Sequence, residues 1–315
     1  MKLLKALVQA RAMTWSPAER LVMRLAFAAV ILFSGILWNA AKLPDPDVVL
    51  KDPNGLAKVL PLQWLAEPSV LTAGKPLVAA GLLAYVLGLA PVLTLLPALV
   101  FMLGTGALRN SMGDISHHTQ IVAMVLLAQW LVYAVGAVRR QSWAKPLPAL
   151  QDQVIFWSVL TIGASYFASG VVKLKASDLE WIQRVPALSV QVFKAVWSAS
   201  YSSGEPVSGF KAEAVPWMIV QHPNLARLFF GTGLLLELLG LFMVLSHRHA
   251  RWIGIGLIAM HLGISVIMEI NFVNHILVVL IFAVNGPGWF LSPKTSGAAA
   301  ALPETPRGGV SGRNP

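Results

Sequence analysis

"VIFWSVLTIGASYFASGVVK", residues 154–173, holds nineteen consecutive residues without a charge before it ends on Lys173. A helix of about 20 apolar residues is long enough to span the hydrocarbon core of a bilayer. Runs of this kind recur along the chain. Hydrophobic residues make up 56% of the 315 and charged residues only 12%, about half the charged share of an average soluble domain. The sequence therefore reads as an all-α, polytopic transmembrane helical bundle whose surroundings are the lipid bilayer.

Working outward from that run, the expected spans number about eight. The first runs from residue 17 to about 41. It opens on "SPAER", where Ser16 can cap, Pro17 suits the first turn and Glu19 completes a capping box. Residues 70–108 hold two short spans with a break at Gly88–Pro91, and the fourth covers 119–138. The fifth is the quoted run. Residues 225–245, 252–270 and 272–290 form the last three. Residues 1–16 are a basic amphipathic segment suited to an anionic membrane surface. The transmembrane unit covers 17–290, with an outer loop near 176–224 too polar to span, and the Pro-, Gly- and Ala-rich stretch 291–315 reads as a disordered tail.

Composition also excludes several classes. The chain has no Cys, so disulfides, thiolate metal sites and Cys nucleophiles are absent. Its net charge of +10 does not point to nucleic acid, because Lys and Arg sit at the ends of apolar runs, where membrane proteins keep them. No His-Glu-x-x-His pattern, phosphate loop or Gly-x-Ser-x-Gly elbow occurs, and no metal site is expected. Slightly more than half of the 24 Lys and Arg residues fall inside when both termini are placed in the cytoplasm of a multi-pass cell-membrane protein.

With that orientation the polar groups near helix ends gather in the outer leaflet. They are Lys173, then Asp114, His117 and His118 before the fourth span, and Glu269, Asn274 and His275 around the last turn. Glu237 and His261 lie deeper, each near the middle of its span. Intramembrane ionisable residues are costly and face a partner or a cavity. His261 is accordingly expected to face the bundle interior near Glu237. Each residue has a plainer alternative: Lys173 snorkelling to the interface, Glu237 as a protonated hydrogen-bonded carboxyl, His261 as a packed histidine.

"SYFASGVVKLKASDLEW", residues 165–181, resembles the Tyr-Phe-x-x-Gly-x-x-Lys-Leu segment of the vitamin K-dependent gamma-carboxylase-like family, whose bacterial members are described as HTTM-domain proteins. Residues 229–282 are similar to that family's acidic helix and the His-containing helix after it, and "SHHTQIVAMVLLAQW" to its helix that opens with His. The resemblance implies an HTTM-type bundle and a carboxylase-like enzyme using a reduced quinone of the menaquinone or vitamin K type. It places the catalytic base on Lys173 and the family's helix-opening His on His118. In the chemistry it implies, the base deprotonates a hydroquinone, oxygen converts the cofactor to an epoxide through a strongly basic alkoxide, and a substrate carbanion captures carbon dioxide. Val172 stands where the animal enzymes have a second Lys. Short Gly-x-x-Lys-Leu and Leu-Glu-Leu-Leu-Gly helices also resemble DoxX-like quinone-linked redox subunits, and a non-catalytic maturation or immunity-type membrane protein is the third reading. Single-Cys variants at Ser116 and Ser202, treated with a membrane-impermeant thiol reagent, should label from the same, non-cytoplasmic side; labelling from opposite sides overturns that arrangement.

Overall fold

The computed structural model describes residues 13–33, 53–111, 117–140, 143–204, 213–286 and 288–291. Among these every regular element is a helix. Six helices are long and apolar enough to cross a membrane: α2 (Pro68–Val86), α3 (Pro91–Ser111), α4 (Thr119–Val138, extended back by a turn to His117), α5 (Pro148–Ala176), α8 (Pro223–Leu245) and α9 (His247–Met268). They are preceded by α1 (Pro17–Val30). Between α5 and α8 lie α6 (Leu188–Ser203) and α7 (Val215–Gln221), and α10 (Val273–Val284) follows α9.

The expected break between the second and third spans is present. Gly88 and Ala90 both take left-handed backbone, and Pro91 then starts α3. The count of about eight spans is not reproduced among the described residues. Helix α1 begins with the expected capping box, Ser16 and Glu19 each accepting from the other's backbone N–H. Its expected continuation to residue 41 lies outside the described residues. Helix α10 is shorter than the span expected over 272–290: it ends where Asn285 turns to φ 52°, and at 1.5 Å per residue it extends only about 18 Å.

The stretch 176–224 is not a plain loop. Helix α6 buries Ser189, Val192 and Val196 at helical spacing. Its apolar side meets Val185, Ile219 and Ala226 in a small core and packs against α9. The polarity of residues 176–224 taken together made the stretch read as loop; the buried valines make it a helical cover over one end of the bundle, with Phe193, Trp197 and Tyr201 exposed on α6.

Two polar clusters tie the other helices together. Inside, the Tyr85 hydroxyl donates to Gln129 Oε1 at 2.8 Å, and Gln129 Nε2 donates to Ser158 Oγ at 2.9 Å, linking α2, α4 and α5. At the far end Arg20 binds both carboxylate oxygens of Asp152 at 2.8 Å, while Asn285 donates to Glu19 at 2.7 Å. Bidentate Arg–carboxylate pairs fix orientation as well as distance, so the start of α1 is locked to the start of α5.

The packing that matters most for the site is between α5 and α8, which run antiparallel. Gly163 and Gly240 face each other so closely that a Cβ on Gly163 would collide with the Gly240 carbonyl oxygen, and a Cβ on Gly240 would stand 2.6 Å from the Gly163 oxygen. Small residues are what allow helix backbones to approach within a bilayer. Further along, Gly170 leaves room for Leu238 and the Cβ of Glu237. The substitution Gly163→Ala should therefore destabilise the protein by on the order of 1–3 kcal/mol, read as a lower thermal midpoint of the detergent-solubilised protein. An unchanged midpoint would show that this contact is not needed.

Candidate functional site

Helix α5 carries Tyr166, Ser169 and Lys173 at i, i+3 and i+7, so all three share one face. That face meets Glu237 on α8 and His261 on α9. Lys173 Nζ donates to Glu237 Oε1 at 2.5 Å and to Oε2 at 2.6 Å, and Ser169 Oγ donates to Oε1 at 3.3 Å. The two partners differ in surroundings: the Glu237 side chain is 7% exposed and the Lys173 side chain 37%. Lys173 also stands 5.9 Å from the centre of the Trp181 ring, within reach of a cation–π contact.

His261 is buried, as expected, and belongs to the same site as Glu237. Its Nε2 lies 2.7 Å from the Tyr166 hydroxyl, and its ring packs against Phe272 and His275, with centroids 4.5 and 5.3 Å away. Its Nδ1 is buried with no hydrogen-bond partner among the described residues.

These groups line a chamber of about 480 Å³ bounded by α4, α5, α8, α9 and the start of α10. A second, almost wholly apolar cavity of about 650 Å³ lies beside it, open to the outside of the bundle along exposed Leu225 and Phe229 and lined also by Leu236 and Ala259. Lys173, Met260 and Ile264 line both. The amine thus sits on the wall shared by a polar chamber and a greasy one.

The expected site residues divide as follows. Lys173, Glu237, His261 and His275 come together around the polar chamber. Glu269 is exposed at the end of α9, in left-handed backbone. Asn274 is buried in the first turn of α10, its Oδ1 without a hydrogen-bond partner among the described residues. His117 and His118 occupy the first turn of α4, whose next turns supply Gln120, Ile121 and Met124 to the chamber, but their side chains are not among those described. Asp114 lies outside the described residues. Among the described residues no group of three His, Asp or Glu side chains is placed to hold a metal ion. Sequence reasoning missed Tyr166 and Ser169 as members of the site, although their spacing to Lys173 was a legible signal. It also separated Lys173 from Glu237 by depth, whereas the two are in direct contact.

In comparisons with known proteins, no family model matches the chain, and neither a curated protein nor a solved structure does.

Chemically, the site is a compensated ion pair beside neutral hydrogen-bonding groups. An ammonium and a carboxylate together carry no net charge, which is how a low-dielectric interior tolerates either. Breaking the pair is asymmetric, because the carboxylate is the more deeply buried partner. Lys173→Met should cost more stability than Glu237→Gln, by up to about 3 kcal/mol given the partial exposure of Lys173. The double variant Lys173→Met/Glu237→Leu should recover most of the loss in thermal unfolding. Equal losses, or no recovery, would show that the pair does not govern stability here.

Proposed function

We propose that this membrane protein binds a reduced quinone between the two cavities and removes a proton from it at the Lys173–Glu237 pair, in carboxylase-like or related quinone chemistry. The observation that carries the reading is the position of Lys173, on the wall shared by an apolar cavity and a polar chamber, with Glu237 beside it in the polar chamber. A quinol with an isoprenoid tail has that division of character, and a lipid-soluble molecule reaches such a site through the bilayer. The resemblance of residues 165–181 to the vitamin K-dependent carboxylase-like segment supports the same assignment.

The charge state of the pair favours a ligand that arrives neutral. A fatty acid or a phosphorylated lipid brings a permanent negative charge and must compete with Glu237 for Lys173. A phenolic ligand brings none until it reacts. Lys173 becomes a base when its proton passes to Glu237 across the 2.5 Å contact, leaving a neutral amine facing a neutral carboxyl. The amine then takes the phenol proton, and the resulting ammonium stays beside the phenolate. Protons balance: the quinol loses one, and the pair ends with Lys173 charged and Glu237 protonated. The oxygen-dependent steps that follow in a carboxylase-like reaction belong to the bound quinol rather than to these side chains.

An anchor at a helix end needs only a long cation, which Arg supplies. A base needs an amine that can lose its proton, which Arg does not do. Purified protein given reduced menaquinone, oxygen and bicarbonate should consume the quinol, with products identified by mass spectrometry. An epoxide marks the carboxylase-like route, and quinone alone marks the simpler DoxX-like redox role. Lys173→Arg should express and fold yet lose at least about a hundredfold in turnover, the lower end of general-base contributions. Full activity of Lys173→Arg overturns the assignment of the base.

A further inference from the structure

The contact between Tyr166 and His261 is the part of the chamber that proton transfer at Lys173 does not use. Both residues are buried, at 5% and 4% exposure. Their 2.7 Å contact leaves open which side donates, and the surroundings of the imidazole decide it. If the tyrosine O–H donated to Nε2, the neutral ring would carry its proton on Nδ1, which has no acceptor among the described residues. A buried N–H without a partner is rarer and costlier than an under-used acceptor. An imidazolium would carry the same stranded N–H with the cost of a buried charge added. The arrangement that strands no N–H of the imidazole has the proton on Nε2, donated to the tyrosine oxygen. The Tyr166 hydroxyl proton then has no protein acceptor among the described residues and is available to the chamber, which Tyr166 lines.

Resting on the quinol reading above, we infer that Tyr166 donates a hydrogen bond to a second oxygen of the ligand, and that His261 is the positioning residue that commits the tyrosine to donate. Tyr166 precedes Lys173 by two helical turns, about 10 Å along α5, and Ile121, Met124, Met260 and Ile264 contribute apolar surface to the same chamber. The ligand class that suits this spacing is a flat ring oxygenated at opposite ends, one oxygen facing the Lys173–Glu237 pair and the other facing Tyr166. A ring with a single oxygen satisfies only one of the two.

The test is a binding comparison on the full-length protein in detergent, followed by tryptophan fluorescence. The probes are a short-chain prenylated 1,4-naphthohydroquinone, kept reduced under argon, and the corresponding 1-naphthol, which lacks the second oxygen. Tyr166→Phe should weaken the dioxygenated probe about tenfold, as expected for one lost hydrogen bond, and leave the naphthol unchanged. His261→Leu should weaken it similarly, and His261→Gln, which keeps an N–H donor, should restore much of the loss. Nitrogen-15 NMR of histidine-labelled protein, assigned with His261→Gln, should show the neutral Nε2–H form of His261 before any probe is added. Equal weakening of both probes by Tyr166→Phe means a packing role and overturns the inference, as does the Nδ1–H form. An unaffected Tyr166→Phe beside a Lys173→Met variant that no longer binds overturns this inference alone. Neither probe binding the wild-type protein overturns the quinol reading and this inference together.

Discussion

A charge in the interior of a membrane bundle must be met by an opposite charge, and at the candidate site the Lys173–Glu237 pair meets that demand. The two residues lie on different helices, 64 positions apart, so the pair fixes more than itself. It sets the register of α5 against α8, and with it the level at which Ser169 and Tyr166 face the chamber. Packing and electrostatics agree here. The Gly163–Gly240 approach and the space left at Gly170 allow the backbones close enough for a side chain from each to meet.

The same pair explains why the site has two kinds of wall. The amine is the less buried partner and lines both cavities, while the carboxylate is enclosed and lines only the polar one. On the proposed function that division would suit an amphiphile, its apolar part against Phe229, Leu236 and their neighbours and its polar part against the groups of the polar chamber. The cover formed by α6 and α7 packs Val192, Val196 and Ile219 against Val185 on this end of the bundle, and neither helix lines the chamber. The opposite end carries a different set of constraints, Arg20 with Asp152 and Glu19 with Asn285, which hold the termini of the bundle without contributing to the chamber.

Much of this is legible in the sequence. The absence of charge over residues 154–172 and its recurrence elsewhere define membrane-length helices, because hydrocarbon thickness fixes how many apolar residues a span needs. The capping box at Ser16–Glu19 and the break before Pro91 follow from local chemistry alone. The burial of His261 follows from the cost of a polar group at mid-depth. Where the local signal was mixed, the structure added detail: α6 and α7 read as loop because residues 176–224 taken together are too polar to span, and α10 read as a full span because apolar composition does not mark where Asn285 turns the chain.

What the sequence alone determined is which residues are too polar to face lipid and how far apart they lie along each helix. Those are local properties, set by side-chain chemistry and by the helical repeat. Which of them meet was decided only by the tertiary structure. Lys173 reaches Glu237, Tyr166 reaches His261, and His275 packs on that same imidazole, while Glu269 stays exposed at the end of its helix. The physical reason is that such contacts depend on the rotation and depth of one helix against another. Those are set by glycine contacts such as Gly163 on Gly240, between residues far apart in the chain, and no spacing within a single helix encodes them.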